Sequence, residues 1–258
     1  MNYGLYLSAA GALTASHRQD VAANNLANVH TVGFKPQLAA AQARRPEAEE
    51  NLAPMAASDQ LLERLGGGTL VAPSRVSLQP GPIEPTGNPL DAALPQSNAF
   101  FTVEDPDRPG TPALTRDGRF LVGPTGELVT PEGARVLDDR GLPIRLPAGV
   151  PARLEADGRV TAGDVVAGHL GIVEVAPADA GSLRPTGGNR FGLLDGVGTT
   201  PVAEPVLEVG ATEGSAADPV HQLTAMMAAT RGASSNYRMI QAHDLLMDRA
   251  INTLGRVS

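Results

Sequence analysis

The chain has no cysteine and no tryptophan among its 258 residues. The first absence rules out disulfides, thiolate metal sites and a cysteine nucleophile. The second, with aromatics at only 3%, means a core built from Leu, Val, Ala and Met, each burying little surface. Positive charge is also scarce: 20 Lys and Arg stand against 28 Asp and Glu, giving a net charge of −8. Arg44-Arg45 is the densest basic pair, so the electrostatic footprint of a DNA- or RNA-binding protein is missing and nucleic acid is not an expected partner. Lys35 is the only lysine, a bias read as compositional. No apolar run comes near the ~18 residues needed to span a bilayer. No basic segment followed by an apolar one stands at the start. The expectation is a protein that neither spans a membrane nor carries a cleaved secretory signal.

What is present divides into helical ends and a β-rich middle. Residues 3 to about 28 read as a helix, with Leu5, Ala9, Ala12, Ser16, Gln19, Ala23 and Leu26 in steps of four and three. That stripe is mostly small, which favours close approach by a partner helix. Gly4 and Gly11 weaken the helix by up to ~1 kcal/mol each relative to Ala. Asn24, Asn25 and Asn28 then cluster where the helical pattern stops. Asn competes for backbone hydrogen bonds and suits helix ends. The reading here is a side-chain-bonded turn through Asn28 to Thr31, a glycine swivel at Gly33 and an aromatic anchor at Phe34. Asn28 is expected to bond locally, Asn24 and Asn25 to meet the C-terminal helix or a neighbouring subunit.

Residues 36–85 look irregular, broken by prolines, with a short helix expected over Asp59 to Leu65 and a flexible joint at Gly66-Gly67-Gly68. Thr69-Leu70-Val71 and Arg75-Val76-Ser77-Leu78 read as strands. From residue 88 to 210 short β-type runs recur: Phe100 to Val103, Glu127 to Thr130, Ala134 to Leu137 and Gly171 to Val175. Asp117-Gly118 and Asp157-Gly158 each predict a hairpin turn. The pattern implies a mostly antiparallel β domain. Asp218-Pro219 then opens a long helix. Its stripe runs Leu223, Met226, Thr230, Ala233, Tyr237, Ile240, Asp244, Met247, Ile251, Leu254, a heptad seam ending before Gly255.

The chemistry for an enzyme is thin. The histidines His17, His30, His169, His221 and His243 have no metal-ligand spacing. No nucleophile elbow, phosphate loop or dinucleotide fingerprint occurs. Asp105-Pro106-Asp107 and Asp138-Asp139 lack calcium-loop spacing. The turn Thr186-Gly187-Gly188-Asn189-Arg190 is the sole support for a hydrolase. No catalytic residue, cofactor, metal or small-molecule substrate is expected.

Ala22-Ala23-Asn24-Asn25-Leu26-Ala27-Asn28, followed by Thr31 and Gly33-Phe34-Lys35, resembles the N-terminal signature of the bacterial flagellar rod and hook proteins. Gly87-Asn88-Pro89-Leu90-Asp91-Ala92-Ala93-Leu94, Thr115-Arg116-Asp117-Gly118-Arg119-Phe120, Gly168-His169-Leu170-Gly171, and Glu213-Gly214-Ser215 through Asp218-Pro219-Val220 with Arg231 resemble further family motifs in the same order. Ser215-Ala216, where the family usually has Ser-Asn, and Ser97-Asn98-Ala99, where it usually has Gly before the Phe pair, depart from the pattern.

The resemblance implies an α+β subunit whose N- and C-terminal helices pair as a coiled coil around a mostly antiparallel β domain. The expected divisions are 1–34 with 216–258, 35–87 with 200–215, and 88–199. It implies a non-enzymatic structural role, assembling helically with other rod proteins and copies of itself into a hollow drive shaft across the periplasm, reached through the flagellar type III apparatus. Chain length and the short segment after Lys35 are most similar to proximal rod members; a distal rod protein is the alternative, and a coiled-coil-dimerised β binding module the rival. The expected assembly residues are Asn24, Asn25, Leu26, Asn28, Thr31, Gly33 and Phe34 of the motif, with Leu223, Met226, Ala233, Tyr237, Ile240, Met247, Ile251 and Leu254 of the stripe.

Overall fold

A computed structural model describes residues 3–45, 66–194 and 197–254. The helix expected at Asp59 to Leu65 and the stop at Gly255 lie outside the described residues. The chain forms two compact units: one from residues 1–26, 38–74 and 219–258, the other from residues 27–37 and 75–218. The second unit therefore takes in residues 27–34, which the sequence reading grouped with the terminal helices.

In the first unit, helix α1 (Tyr3–Ala27) and helix α2 (Pro219–Leu254) are accompanied by the paired strands β1 (Gln37–Ala43) and β2 (Thr69–Val76). α2 starts at Pro219, where a proline lacks no hydrogen bond the helix needs. The two helices run antiparallel. Ala15 faces Gly232, Gly11 faces Asn236, and Gly4 faces His243, so numbers rise along one helix by the steps by which they fall along the other. The region after Pro36 is more regular than expected. β2 is one continuous strand through Pro73, and the alanine-rich β1 is a strand that the sequence hid, because Ala has no β preference. The triglycine is likewise no loose joint. Gly67 N–H donates to Arg44 O and Gly68 O accepts from Arg44 N–H, closing the ends of this pair.

The second unit holds β3 (Ile83–Pro85), β4 (Ala92–Ala93), β5 (Ala99–Glu104), β6 (Pro112–Thr115), β7 (Leu121–Val122), β8 (Leu128–Val129), β9 (Ala152–Leu154), β10 (Arg159–Ala162), β11 (Val165–His169), β12 (Ile172–Glu174), β13 (Leu183–Gly187), β14 (Arg190–Leu193), β15 (Thr200–Pro201), β16 (Glu208–Val209) and β17 (Ala211–Glu213). Their pairings are antiparallel. A six-stranded sheet in the order β13-β14-β6-β5-β12-β15 is its largest element. Successive residues of β5 point to opposite faces. Phe101 thus joins the larger core with Phe120, Leu128, Val136 and Val160, while Phe100 joins a smaller one with Leu114, Leu183 and Phe191. Each phenylalanine finds an edge-on aromatic partner, Phe120 at 5.1 Å and Phe191 at 6.0 Å.

Of the two predicted Asp-Gly hairpins, one forms. β9 and β10 pair across Asp157-Gly158, with Gly158 at φ 85° and Glu155 N–H donating to Arg159 O. At Asp117-Gly118 no hairpin forms: β6 pairs with β5 and β14, and β7 with β8. Gly118 is there for close approach, since a β-carbon would overlap the Ala92 carbonyl that packs against it. Its own carbonyl accepts from Ala92 N–H at 3.0 Å.

Candidate assembly site

In the first unit, the last turn of α1 holds three of the motif residues. Asn25 is buried and its Nδ2 donates to Gln222 Oε1 on α2 at 3.1 Å. Asn24 is exposed and Leu26 half-buried. Asn25 thus meets the C-terminal helix as expected.

In the second unit, Asn28 and Thr31 form a local turn: Thr31 N–H donates to Asn28 O at 3.1 Å and Thr31 Oγ1 to Asn28 Oδ1 at 3.1 Å. The Gly33 swivel is corrected. Gly33 sits at φ 67° with its N–H donating to Glu213 O at 2.6 Å, and a β-carbon there would stand 2.5 Å from the Arg116 backbone. It is a clamped glycine, chosen for its backbone angle and for lack of room. Phe34 is half-buried and anchors mainly through its backbone, accepting from Ala216 N–H at 3.1 Å. Asn189, at φ 51° on the β13–β14 hairpin, donates from Nδ2 to Val32 O at 2.7 Å. The glycine-rich turn considered for a hydrolase is therefore a brace on this segment.

Directly after the clamp lies the feature that sequence reasoning missed. Lys35 is buried, and its Nζ donates to Glu213 Oε1 at 2.8 Å and to Gln79 O at 2.7 Å. Arg116, also buried, donates from its guanidinium to Glu213 Oε2 at 3.0 Å and Leu94 O at 3.1 Å, and to Gln96 O. Its guanidinium carbon lies 5.1 Å from the centre of the Phe100 ring. Gly81 N–H completes the shell of Glu213 at 2.8 Å. Burial lowers the pKa of Lys35 and of Arg116; the neighbouring guanidinium adds to the effect on Lys35, and Glu213 opposes it in both. The signal was the singularity of Lys35, which composition alone presented as bias.

The α2 stripe is divided. Gln222, Gly232, Asn236 and His243 meet α1, and Met226, Ala229, Ala233 and Ile240 between them are half-buried or buried. Met226, Ala233 and Ile240 of the predicted stripe belong to this seam. Leu223, Tyr237, Met247 and Ile251 are exposed, as are Met227, Leu245 and Leu246; the Leu254 side chain lies outside the described residues. Met226, Ala233 and Ile240 keep the predicted register, while Gln222, Ala229, Asn236 and His243 take the places predicted for Leu223, Thr230, Tyr237 and Asp244, each one residue earlier. Gly4 and Gly11 are the recesses that admit His243 and Asn236.

Among the described residues there is no group of three or more His, Cys, Asp or Glu side chains placed to hold a metal, and no helix long and apolar enough to cross a membrane.

Three family descriptions match the chain in order: flagella basal body rod protein over residues 5–35, flagellar hook protein FlgE/F/G D1 domain over 96–167, and flagellar basal body rod FlgEFG protein C-terminal over 208–253. The flagellar basal-body rod protein FlgF of Rhizobium meliloti is 30% identical, with 99% of each chain covered. That of Escherichia coli is 31% identical, with 95% of each covered. The chain belongs to the flagellar basal-body rod protein family. FlgG of Bacillus subtilis is also similar, at 29% identity over 96% of this chain and 97% of its own. Within this rod family member, Lys35, Arg116 and Glu213 fall one in each of the three matched segments.

Proposed function

We propose that this chain is a structural subunit of the proximal part of the flagellar rod, stacking helically with copies of itself and with other rod proteins to form the hollow shaft that carries torque across the periplasm. Its role is mechanical, not catalytic. Similarity to FlgF proteins along the full chain supports the proximal reading; similarity to FlgG keeps a distal position as the second reading. Delivery would be through the flagellar type III apparatus, as the family implies.

The observation that carries the assembly reading is the split face of α2. Gln222, Gly232, Asn236 and His243 of α2 meet α1, while Leu223, Met227, Tyr237, Leu245, Met247 and Ile251 stay exposed. Such a row is costly to leave in water. Covering it with a different surface of the next copy is a heterologous contact, which repeats into a helix. Asn24 and the α2 stripe residues would form the inner-tube contacts.

A density map of the assembled rod tests this directly. The expected result is this chain in the proximal rod with α1 and α2 lining the channel. A position next to the hook would favour the distal reading. A discrete dimer in sedimentation, unable to join other rod proteins, would instead indicate a dimerised β binding module.

A further inference from the structure

Among the described residues, Glu213 is the one carboxylate paired with both Lys35 and Arg116. The side chains of Lys35 and Arg116 have 0% exposure and that of Glu213 has 2%. Lys35 comes from the segment leading out of α1, Arg116 from the end of β6 in the middle of the main sheet, and Glu213 from the last strand before α2. We propose that this triad is a closure latch: the β-rich unit folds only when segments 27–37 and 208–218 have both docked, and it opens at these segments and in its sheet core together.

The reason is electrostatic. A buried ion pair gains little over apolar residues, but removing one partner leaves an uncompensated charge at high cost. Here the imbalance is worse, because the carboxylate serves both cations. Without Glu213, two positive groups would share one dry pocket. Arg116 cannot leave it without disturbing Phe100, under its guanidinium, and the Leu94 and Gln96 carbonyls that it binds. Without the first segment, the Gly33 N–H to Glu213 O bond and the Lys35 contacts to Gln79 and Glu213 vanish together. Hydrogen bonds from both segments converge on one residue, so neither docks stably alone. A chain whose last fifth has not arrived stays open. That suits a subunit handed over extended, a consequence that rests on the rod reading; the latch itself does not.

The single lysine supplies the probe. The full-length folded chain is treated with an amine-acetylating reagent, and Lys35 modification is followed by mass spectrometry. Amide exchange at Thr102 and Leu137 is followed in parallel, since both amides bond within the sheet region. In the wild-type chain, Lys35 and the two amides should report the same opening equilibrium. In E213Q all three should react faster by a common factor, on the order of 100-fold or more. Lys35 modified readily while Thr102 and Leu137 stay protected would overturn the proposal, as would an E213Q chain with unchanged rates. Should E213Q not fold, the wild-type comparison decides alone. Failure of the chain to enter a rod would refute the rod reading and leave these measurements untouched.

Discussion

Gly11 of α1 lies directly under Asn236 of α2: a β-carbon on Gly11 would stand 2.6 Å from Asn236 Oδ1. Asn236 cannot easily yield, because its Nδ2 donates to Gly232 O at 2.9 Å. Gly11 is thus a socket, and its poor helix propensity is the cost of a close helix contact.

Gly11→Ala should therefore destabilise the helix pair although it removes a helix-weakening residue worth ~1 kcal/mol. Gly232→Ala is the control. Its β-carbon would meet Ala15 at 3.7 Å, an ordinary contact, so the propensity gain should appear as added stability of up to ~1 kcal/mol. Urea unfolding followed by helical circular dichroism distinguishes the two.

Asn25 and Gln222 should be energetically coupled. Each single substitution to Ala is expected to cost on the order of 1 kcal/mol, and the double variant less than the sum. Additive costs in a double-mutant cycle would mean that the bond contributes nothing.

Asn189 has two jobs, a left-handed backbone and a hydrogen bond to Val32 O. Asn189→Gly keeps the first and loses the second; Asn189→Ala loses both. The alanine variant should be the less stable by about 1 kcal/mol, as read from urea midpoints of the β-rich unit.

Lys35 sets a pH dependence in the alkaline range. Burial first, then Arg116, lowers its pKa from the ordinary 10.5, against the pull of Glu213. Between the lowered value and 10.5 the unfolded chain holds more protons than the folded one, so stability rises with pH there. Below the lowered value the cost of the buried ammonium is present in full. Relative to Lys35→Met, which lacks this group, the wild-type chain should gain stability as pH climbs from neutrality towards 10.5. A gap that is constant or closes would contradict the assignment.

The exposed row on α2 should matter for assembly and little for the fold of one chain. Tyr237→Asp and Ile251→Asp change exposed side chains, where surface substitutions usually stay within ~0.5 kcal/mol. Incorporation into rods should fall sharply while circular dichroism of the free chain is unchanged. Full incorporation of both variants would show that another face makes the contacts.

Much of this was legible in the sequence because it is local. Short β-type runs marked many of the strands, Asp218-Pro219 marked the start of α2, and Asn28 to Thr31 read as a turn. What was hidden depends on partners far along the chain. At Asp117-Gly118 the chain forms no hairpin, and Gly118 bonds instead to Ala92, remote in sequence. Half of the α2 seam stands one residue before the predicted stripe, with Asn236 and His243 seated at Gly11 and Gly4 of α1. The triad joins residues 35, 116 and 213, and no window of sequence contains two of them.

The stitch between the two segments has a mechanical consequence. Gly33 N–H bonds Glu213 O, and Ala216 N–H bonds Phe34 O, so the strand of chain arriving from α1 and the one leaving towards α2 are sewn side by side. Everything from β1 to β16 lies in the loop they close. A pull that draws residues 33–34 away from residues 213–216 would load these bonds together with the Lys35–Glu213 pair, and would reach the sheet through Arg116 and Asn189.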